Sequence, residues 1–171
     1  MHLPSLCCAT ACALSCGHAA AQTCASPSAI TSNTPIAFDT CQGESSLALA
    51  CGVVPLAGPA TIVRLDLPYP EGRVSIQSMD ANYAPTAFLF HARCADDAPC
   101  SAAAWSGPGT AGTIDLSPLD SGAYFLVVAA DANAPGASCG QIVVTADVTP
   151  AQQALVEEGI FHSGSAPLWE P

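Results

Sequence analysis

The sequence predicts an all-β protein. The expected architecture is a jelly-roll-like antiparallel β-sandwich of about eight strands, stapled by disulfides and followed by a short C-terminal helix or tail. Three observations predict it. Apolar or alternating runs recur roughly every 8 to 15 residues, with turn residues between them. Fifteen prolines and thirteen glycines are spread along 171 residues, as short elements joined by turns require. Six cysteines remain once an N-terminal export signal is set aside, an even number that reads as three disulfides in an oxidising compartment.

The N-terminal segment comes first. The run Leu3–Cys16 is apolar and about as long as a signal-peptide core, and the first charged side chain is Asp39. Ala19 and Ala21 present small side chains at the two positions a signal peptidase requires, so cleavage is expected after Ala21. The stretch is too short to span a bilayer. Its basic end is weak, with only the α-amino group and His2. A lipoprotein frame would end on Cys16, but it lacks leucine three residues earlier. Residues 1–21 are therefore read as a signal peptide. Residues 22–35, polar and rich in serine and threonine, are read as a lead-in.

The strands follow over 36–148. Residues 36–40 form the first run, and 45–50 the second, after a Gln42-Gly43 turn. In 61–67, Val63, Leu65 and Leu67 face one way and Arg64 and Asp66 the other, the mark of a half-buried strand. A Pro-Tyr-Pro-Glu-Gly turn leads to 73–78, with Val74 and Ile76 inward. Residues 86–93 put Phe88 and Phe90 on one face and Leu89, His91 and Arg93 on the other. Residues 113–116 are short. Residues 122–129 are almost wholly apolar, as a central strand buried on both faces would be. Residues 141–148 close the set. No helical pattern intervenes, which argues against βαβ units. Beyond the sandwich, Thr149, Pro150 and Gln152 suit an N-cap, a first helical position and a capping partner. Gly159 would end that helix, and residues 149–171 read as a helix and tail.

Charge excludes several partners. Fourteen acidic residues face only Arg64, Arg73 and Arg93, giving a net charge of −11. Such a chain is repelled by phosphate backbones and anionic headgroups, so nucleic-acid and membrane-surface binding are both disfavoured; no membrane insertion is expected after signal removal.

The mature cysteines are Cys24, Cys41, Cys51, Cys94, Cys100 and Cys139, and no two have the CxxC spacing of zinc or redox motifs. The stretch CADDAPC, from Cys94 to Cys100, raises three readings. Asp96 and Asp97 offer a hard cation too few oxygens. A reactive thiolate would have only Arg93 to stabilise it. The favoured reading is a loop clamped by a Cys94–Cys100 disulfide. Cys51–Cys139 and Cys24–Cys41 are then guesses among the fifteen pairings that six cysteines allow.

Other candidate sites are weighed against plainer explanations. Gly107–Gly112 matches GxGxxG, but a proline-broken, strand-like run follows it where a dinucleotide site needs a helix. No HExxH or lysine-dependent motif occurs. The mature chain has two histidines, His91 on a strand and His162 in the tail, and nothing places either in a triad. Asp80 and Asn82, with Asp131 and Asn133, form two Asp-x-Asn turns that would make a partial oxygen cage for calcium if they met. The plainer reading is turn capping. Tyr69, Tyr83 and Trp105 lie in loop-like stretches, where exposed rings would stack on sugars.

The run Asp115–Val128, with leucine, a turn, Gly122, Tyr124 and a valine-rich strand, resembles the signature of bacterial pre-peptidase C-terminal (PPC-like) domains. Residues 87–94 with Cys100, and residues 139–145, are similar to the strand, cysteine loop and closing strand of that family. The resemblance covers roughly residues 36 to 148. The Leu-x-Pro-Leu-x-x-Gly-x-Tyr run would equally suit a tyrosine corner. The family implies a secreted jelly-roll that is usually appended to an exported enzyme and is itself non-catalytic. Some members bind calcium or an insoluble polymer. The expected function is thus an exported, secreted or periplasmic binding or accessory module, with a polymer, glycan or protein as partner and no cofactor. A small secreted hydrolase or inhibitor with a loop-built site is the alternative.

Overall fold

The computed structural model describes residues 23–30, 33–44 and 46–148. The expected signal peptide, the C-terminal helix and tail, and His162 lie outside these residues. Among the described residues there are eleven strands: β1 (Ser28–Ala29), β2 (Ile36–Asp39), β3 (Leu49–Ala50), β4 (Val54–Pro55), β5 (Thr61–Leu67), β6 (Gly72–Ser78), β7 (Pro85–His91), β8 (Cys100–Trp105), β9 (Ala111–Asp115), β10 (Gly122–Ala130) and β11 (Gln141–Val148). Three of them, β1, β3 and β4, are two residues long, which leaves eight principal strands.

Two sheets form the sandwich, ordered β1-β5-β10-β7-β8 and β2-β11-β6-β9. Among the eight principal strands in chain order, the second sheet holds the first, eighth, third and sixth. The first sheet holds the second, seventh, fourth and fifth. That winding is a jelly roll. Every pairing of principal strands is antiparallel, and only β1 lies parallel to its neighbour β5. The segment read as a lead-in therefore contributes a strand to the sandwich.

Alternation places the core. Val63, Leu65, Leu67, Val74, Ile76, Leu89, Leu126, Val128, Ile142 and Val144 fill the space between the sheets. The intervening residues of β6 and β11 face outward, as half-buried strands require. The first sheet differs. On its other side Ile62, Phe88, Phe90, Val127 and Ala129 are also buried, in a second apolar cluster with Leu47, Ala50, Ala60 and Ala98. Residues 46–60, including the β3–β4 hairpin, and the loop after β7 supply this cover. β10 is apolar throughout because it is packed on both faces. Burying each such large side chain contributes roughly 1.5–3 kcal/mol.

The disulfides tie the layers together, and they correct the expected pairing. Cys94 bonds Cys24, Cys100 bonds Cys51, and Cys139 bonds Cys41, with Cα separations of 5.5, 4.9 and 5.0 Å. Cys94–Cys100, Cys51–Cys139 and Cys24–Cys41 do not form. Facing decides this, and proximity in sequence does not. Cys100 opens β8 opposite Phe90 and packs into the second cluster, where Cys51 of the cover hairpin also lies. Cys94 meets Cys24 in that same cluster. Cys41 and Cys139 lie two residues beyond the paired Asp39 and Gln141, so their bridge extends the β2–β11 ladder. The 94–100 loop is instead pinned by Asp96. Its carboxylate accepts from the Ala48 and Leu49 N–H groups at 2.9 and 3.1 Å, and its carbonyl accepts from Gly52 N–H at 3.1 Å.

Two polar devices hold the ends. Tyr124 donates its hydroxyl to the Asp120 carbonyl at 2.8 Å, four residues upstream, which is a tyrosine corner. At the opposite end Thr40 is a buried hub. Its hydroxyl donates to the Gly140 carbonyl at 3.0 Å, accepts from Gly140 N–H at 2.9 Å, and shares a 3.1 Å hydrogen bond with the Tyr83 hydroxyl.

Burial pushes the Tyr83 phenol up to about 12, against the opposing pull of its Thr40 hydrogen bond. A raised folded pKa favours the neutral phenol, so its contribution is complete below about pH 10 and is lost as pH climbs toward 12. Urea unfolding across this window is expected to show a fall in stability that Tyr83→Phe largely removes, after a cost of about 1 kcal/mol at neutral pH. An unchanged alkaline slope in the variant would assign the fall to other groups. Non-reducing peptide mapping is expected to recover the Cys24–Cys94, Cys41–Cys139 and Cys51–Cys100 pairs, and a peptide joining Cys94 to Cys100 would overturn the layered account.

Candidate interaction surface

The sandwich has two outer faces. Much of one lies beneath the disulfide-tied cover. The other, on the β2-β11-β6-β9 sheet, carries outward side chains that follow from strand alternation. On β6 these are Arg73, Ser75 and Gln77; on β9, Ala111, Thr113 and Asp115; on β11, Val143, Thr145 and Asp147. Register aligns them in rows. Asp147, Arg73 and Asp115 form one row, Thr145, Ser75 and Thr113 the next, and Val143, Gln77 and Ala111 the third.

Two shallow grooves cross the first two rows and share Arg73, Thr113 and Asp147. Asn33 and Ser75 extend one, and Gly72 and Asp115 the other. Arg73 Nε lies 4.0 Å from Asp147 Oδ2, with both side chains more than half exposed. Asp115 accepts the Ser117 N–H at 3.0 Å, and this bond holds its carboxyl below the ordinary range. Gly72 sets the rung. Its φ is +104°, and a Cβ there would lie 1.8 Å from the Asp147 carbonyl oxygen, so only glycine lets β6 start against the end of β11. The patch thus holds a forked donor between two acceptors, beside hydroxyls that do both. It is equipped for hydrogen-bonded recognition, and no nucleophile and base are joined in it.

The expected site residues distribute differently. The first Asp-x-Asn turn touches the loop that follows the second, where Ala137 N–H donates to the Asn82 carbonyl at 2.8 Å. They form no cage. Asp80 accepts the Gln141 N–H at 2.6 Å, and Asp131 accepts the backbone and side-chain N–H groups of Asn133 at 2.8 and 3.1 Å. Among the described residues no three His, Cys, Asp or Glu side chains converge on a metal-sized space. Asp97 pairs with Arg93 at 3.0 Å. Gly107–Thr110 is a turn with Pro108 and Gly109 at its centre, Gly109 at φ +69°, and β9 rather than a helix follows. His91 is exposed, and its ring stacks on Tyr124 at 4.7 Å.

The aromatics need one correction. Tyr83 is fully buried, so it belongs to the core and offers no face to a sugar. Trp105 is 67% exposed and Tyr69 39%. Trp105 pairs with Thr86 on the first sheet, and Tyr69 lies in the turn after β5, so neither is on the polar rows. Arg73, Ser75, Thr113, Thr145 and the two flanking aspartates were not singled out by the sequence. Their signal was the polar half of each alternating strand, which becomes a patch only when sheet order is known.

Arg73→Ala is expected to change unfolding free energy by less than about 1 kcal/mol, as exposed ion pairs contribute little. Gly72→Ala is expected to cost more than about 2 kcal/mol, because positive φ and backbone contact both oppose a side chain. Urea midpoints check both, and a tolerant Gly72 would show that the rung is not rigidly set.

Among the described residues no helix is long and apolar enough to cross a membrane. Comparison with family models, with curated protein sequences and with solved structures returned no match.

Proposed function

We propose that this chain is an exported, non-catalytic binding or accessory module that seats its ligand on the open face of the β2-β11-β6-β9 sheet. One observation carries the reading. Among the described residues, one outer face of the sandwich is sealed by a layer tied with two disulfides, and the opposite face is uncovered, polar and grooved around Arg73. The three disulfides support an oxidising destination. The signal-like residues 1–21 support export, with Gln22 as the mature N-terminus. The resemblance read in the Asp115–Val128 run to the PPC-like signature favours an accessory role. A secreted or periplasmic location follows from this reading, and the partner is an extracellular polymer, glycan or protein.

Protein from a secreting host tests it. The intact mass is expected to begin at Gln22. Pull-down on insoluble polysaccharides and matrix proteins, with and without chelator, is expected to retain the wild type on at least one of them. Arg73→Ala is expected to weaken that retention, while Trp105→Ala leaves it within about twofold. Ester, peptide and glycoside substrates run alongside are expected to show no turnover. Turnover abolished by His91→Ala would replace this reading with the small secreted hydrolase.

A further inference from the structure

We infer that the outer edge of β9 takes an added antiparallel strand from a basic polypeptide. The edge is distinct from the open face, and the inference does not require that face to bind anything.

The backbone determines what kind of group fits. Leu116 N–H donates to the Gly72 carbonyl at 3.0 Å, which fixes the phase of the β6–β9 ladder. Gly112 and Ile114, opposite Ile76 and Val74, therefore turn their N–H and C=O groups toward β6. Those of Ala111, Thr113 and Asp115 turn the other way, and no strand among the described residues pairs with them. They recur about every 6.7 Å along a line of roughly 13 Å. Donors and acceptors at that spacing are matched by another extended backbone.

β9 differs from the other three sheet edges. β1 is two residues long. β2 runs for four and passes at once into the 3-10 turn Thr40–Gln42. β8 is longer, but the β7–β8 register shifts between Leu89 and Phe90, and Gly112 stands against its last carbonyl, where a Cβ would lie 3.0 Å from Trp105 O. A bulge and a covering residue are ways in which a sheet closes an edge. β9 keeps unbroken register over five residues, has no proline, and leaves Ala111, Thr113 and Asp115 exposed.

Charge selects the partner. Asp115 is the one ionisable side chain of β9, and the Ser117 N–H helps keep it ionised. The added strand would place a side chain opposite it, where lysine or arginine stabilises and a second carboxylate opposes. The wider field acts in the same direction. All three arginines already pair with aspartates, Arg64 with Asp66, Arg73 with Asp147 and Arg93 with Asp97. The excess charge of −11 is therefore carboxylate, which attracts a basic segment. A second copy of the chain would bring the same −11 and is opposed on approach.

Isothermal titration of the mature protein, with amide hydrogen exchange alongside, tests the inference. The probe is a short capped peptide that alternates lysine with valine. Its glutamate counterpart and two N-methylated forms would be run beside it. The lysine peptide is expected to bind and to slow exchange at Ala111, Thr113 and Asp115. Glutamate in place of lysine should weaken binding at least tenfold. N-methylation of the lysine amides, which face β9 when lysine lies opposite Asp115, should weaken it as much. N-methylation of the valine amides, which face away, should change it less than twofold. Among variants that thermal unfolding shows to be folded, Asp115→Asn should weaken binding at least threefold. Arg73→Ala, which removes the cation opposite Asp115, should tighten it about twofold. Equal binding of both N-methylated peptides would reduce the contact to charge alone and overturn strand addition. Binding lost in Arg73→Ala would move the peptide to the open face and overturn the edge. No binding of the lysine peptide, or exchange at these amides slowed only by raising the protein's own concentration, overturns the basic partner and leaves the open-face reading standing.

Discussion

The rest of the structure depends on one strand that must be covered twice. β10 is apolar on both sides, so a two-layer sandwich would leave half of it against water. Its inward residues, Leu126 and Val128, are met by the second sheet. Its outward residues, Val127 and Ala129, are met by a third layer without long strands of its own. A layer built mainly of turns has few ladder hydrogen bonds to hold it in place. Here covalent bonds and the Asp96 carboxylate supply the missing attachment. In the loop-entropy model each bridge stabilises by on the order of 4 kcal/mol when taken singly, because each closes a long stretch of chain.

That arrangement leaves the two outer surfaces with different work to do. One side of the molecule is committed to structure, down to Asp96 of the CADDAPC loop. The other is spanned by four hydrogen-bonded strands and can display side chains without structural duty. Arg73, Ser75 and Thr113 are on such positions. Their backbone positions are fixed by the ladder beneath them.

Much of the fold was legible in the sequence, because alternation is local. Val63, Leu65, Val74 and Ile76 face inward as their spacing says, and the apolar run of β10 signalled burial on both sides. The tyrosine corner was legible for the same reason: Gly122, Tyr124 and the turn before them are near neighbours. Residues 45–50 were read as a strand, yet only Leu49–Ala50 pairs, because that segment caps a sheet instead of joining one. β8 was missed. Its run of alanines lacks the branched or aromatic residues that mark strands. The disulfides and the polar patch were not legible. Both depend on which strands become neighbours, and residues as distant as Arg73, Asp115 and Asp147 meet only through sheet order.

The connectivity of the cysteines bears on how the chain is made. In order of synthesis they emerge as Cys24, Cys41, Cys51, Cys94, Cys100 and Cys139, and no native bridge joins two that are consecutive. Cys24–Cys94 crosses both of the other bridges, while Cys51–Cys100 lies inside Cys41–Cys139. Oxidation in order of emergence would join Cys24 to Cys41 and strand the cover layer away from its sheet. The native set therefore requires either that each of the first three thiols stays reduced until its own partner has emerged, for Cys41 not until after β10, or that early bridges are reshuffled by thiol exchange. A host that supplies only an oxidant would accumulate the wrong isomers, and one that also supplies a disulfide isomerase would release the native protein.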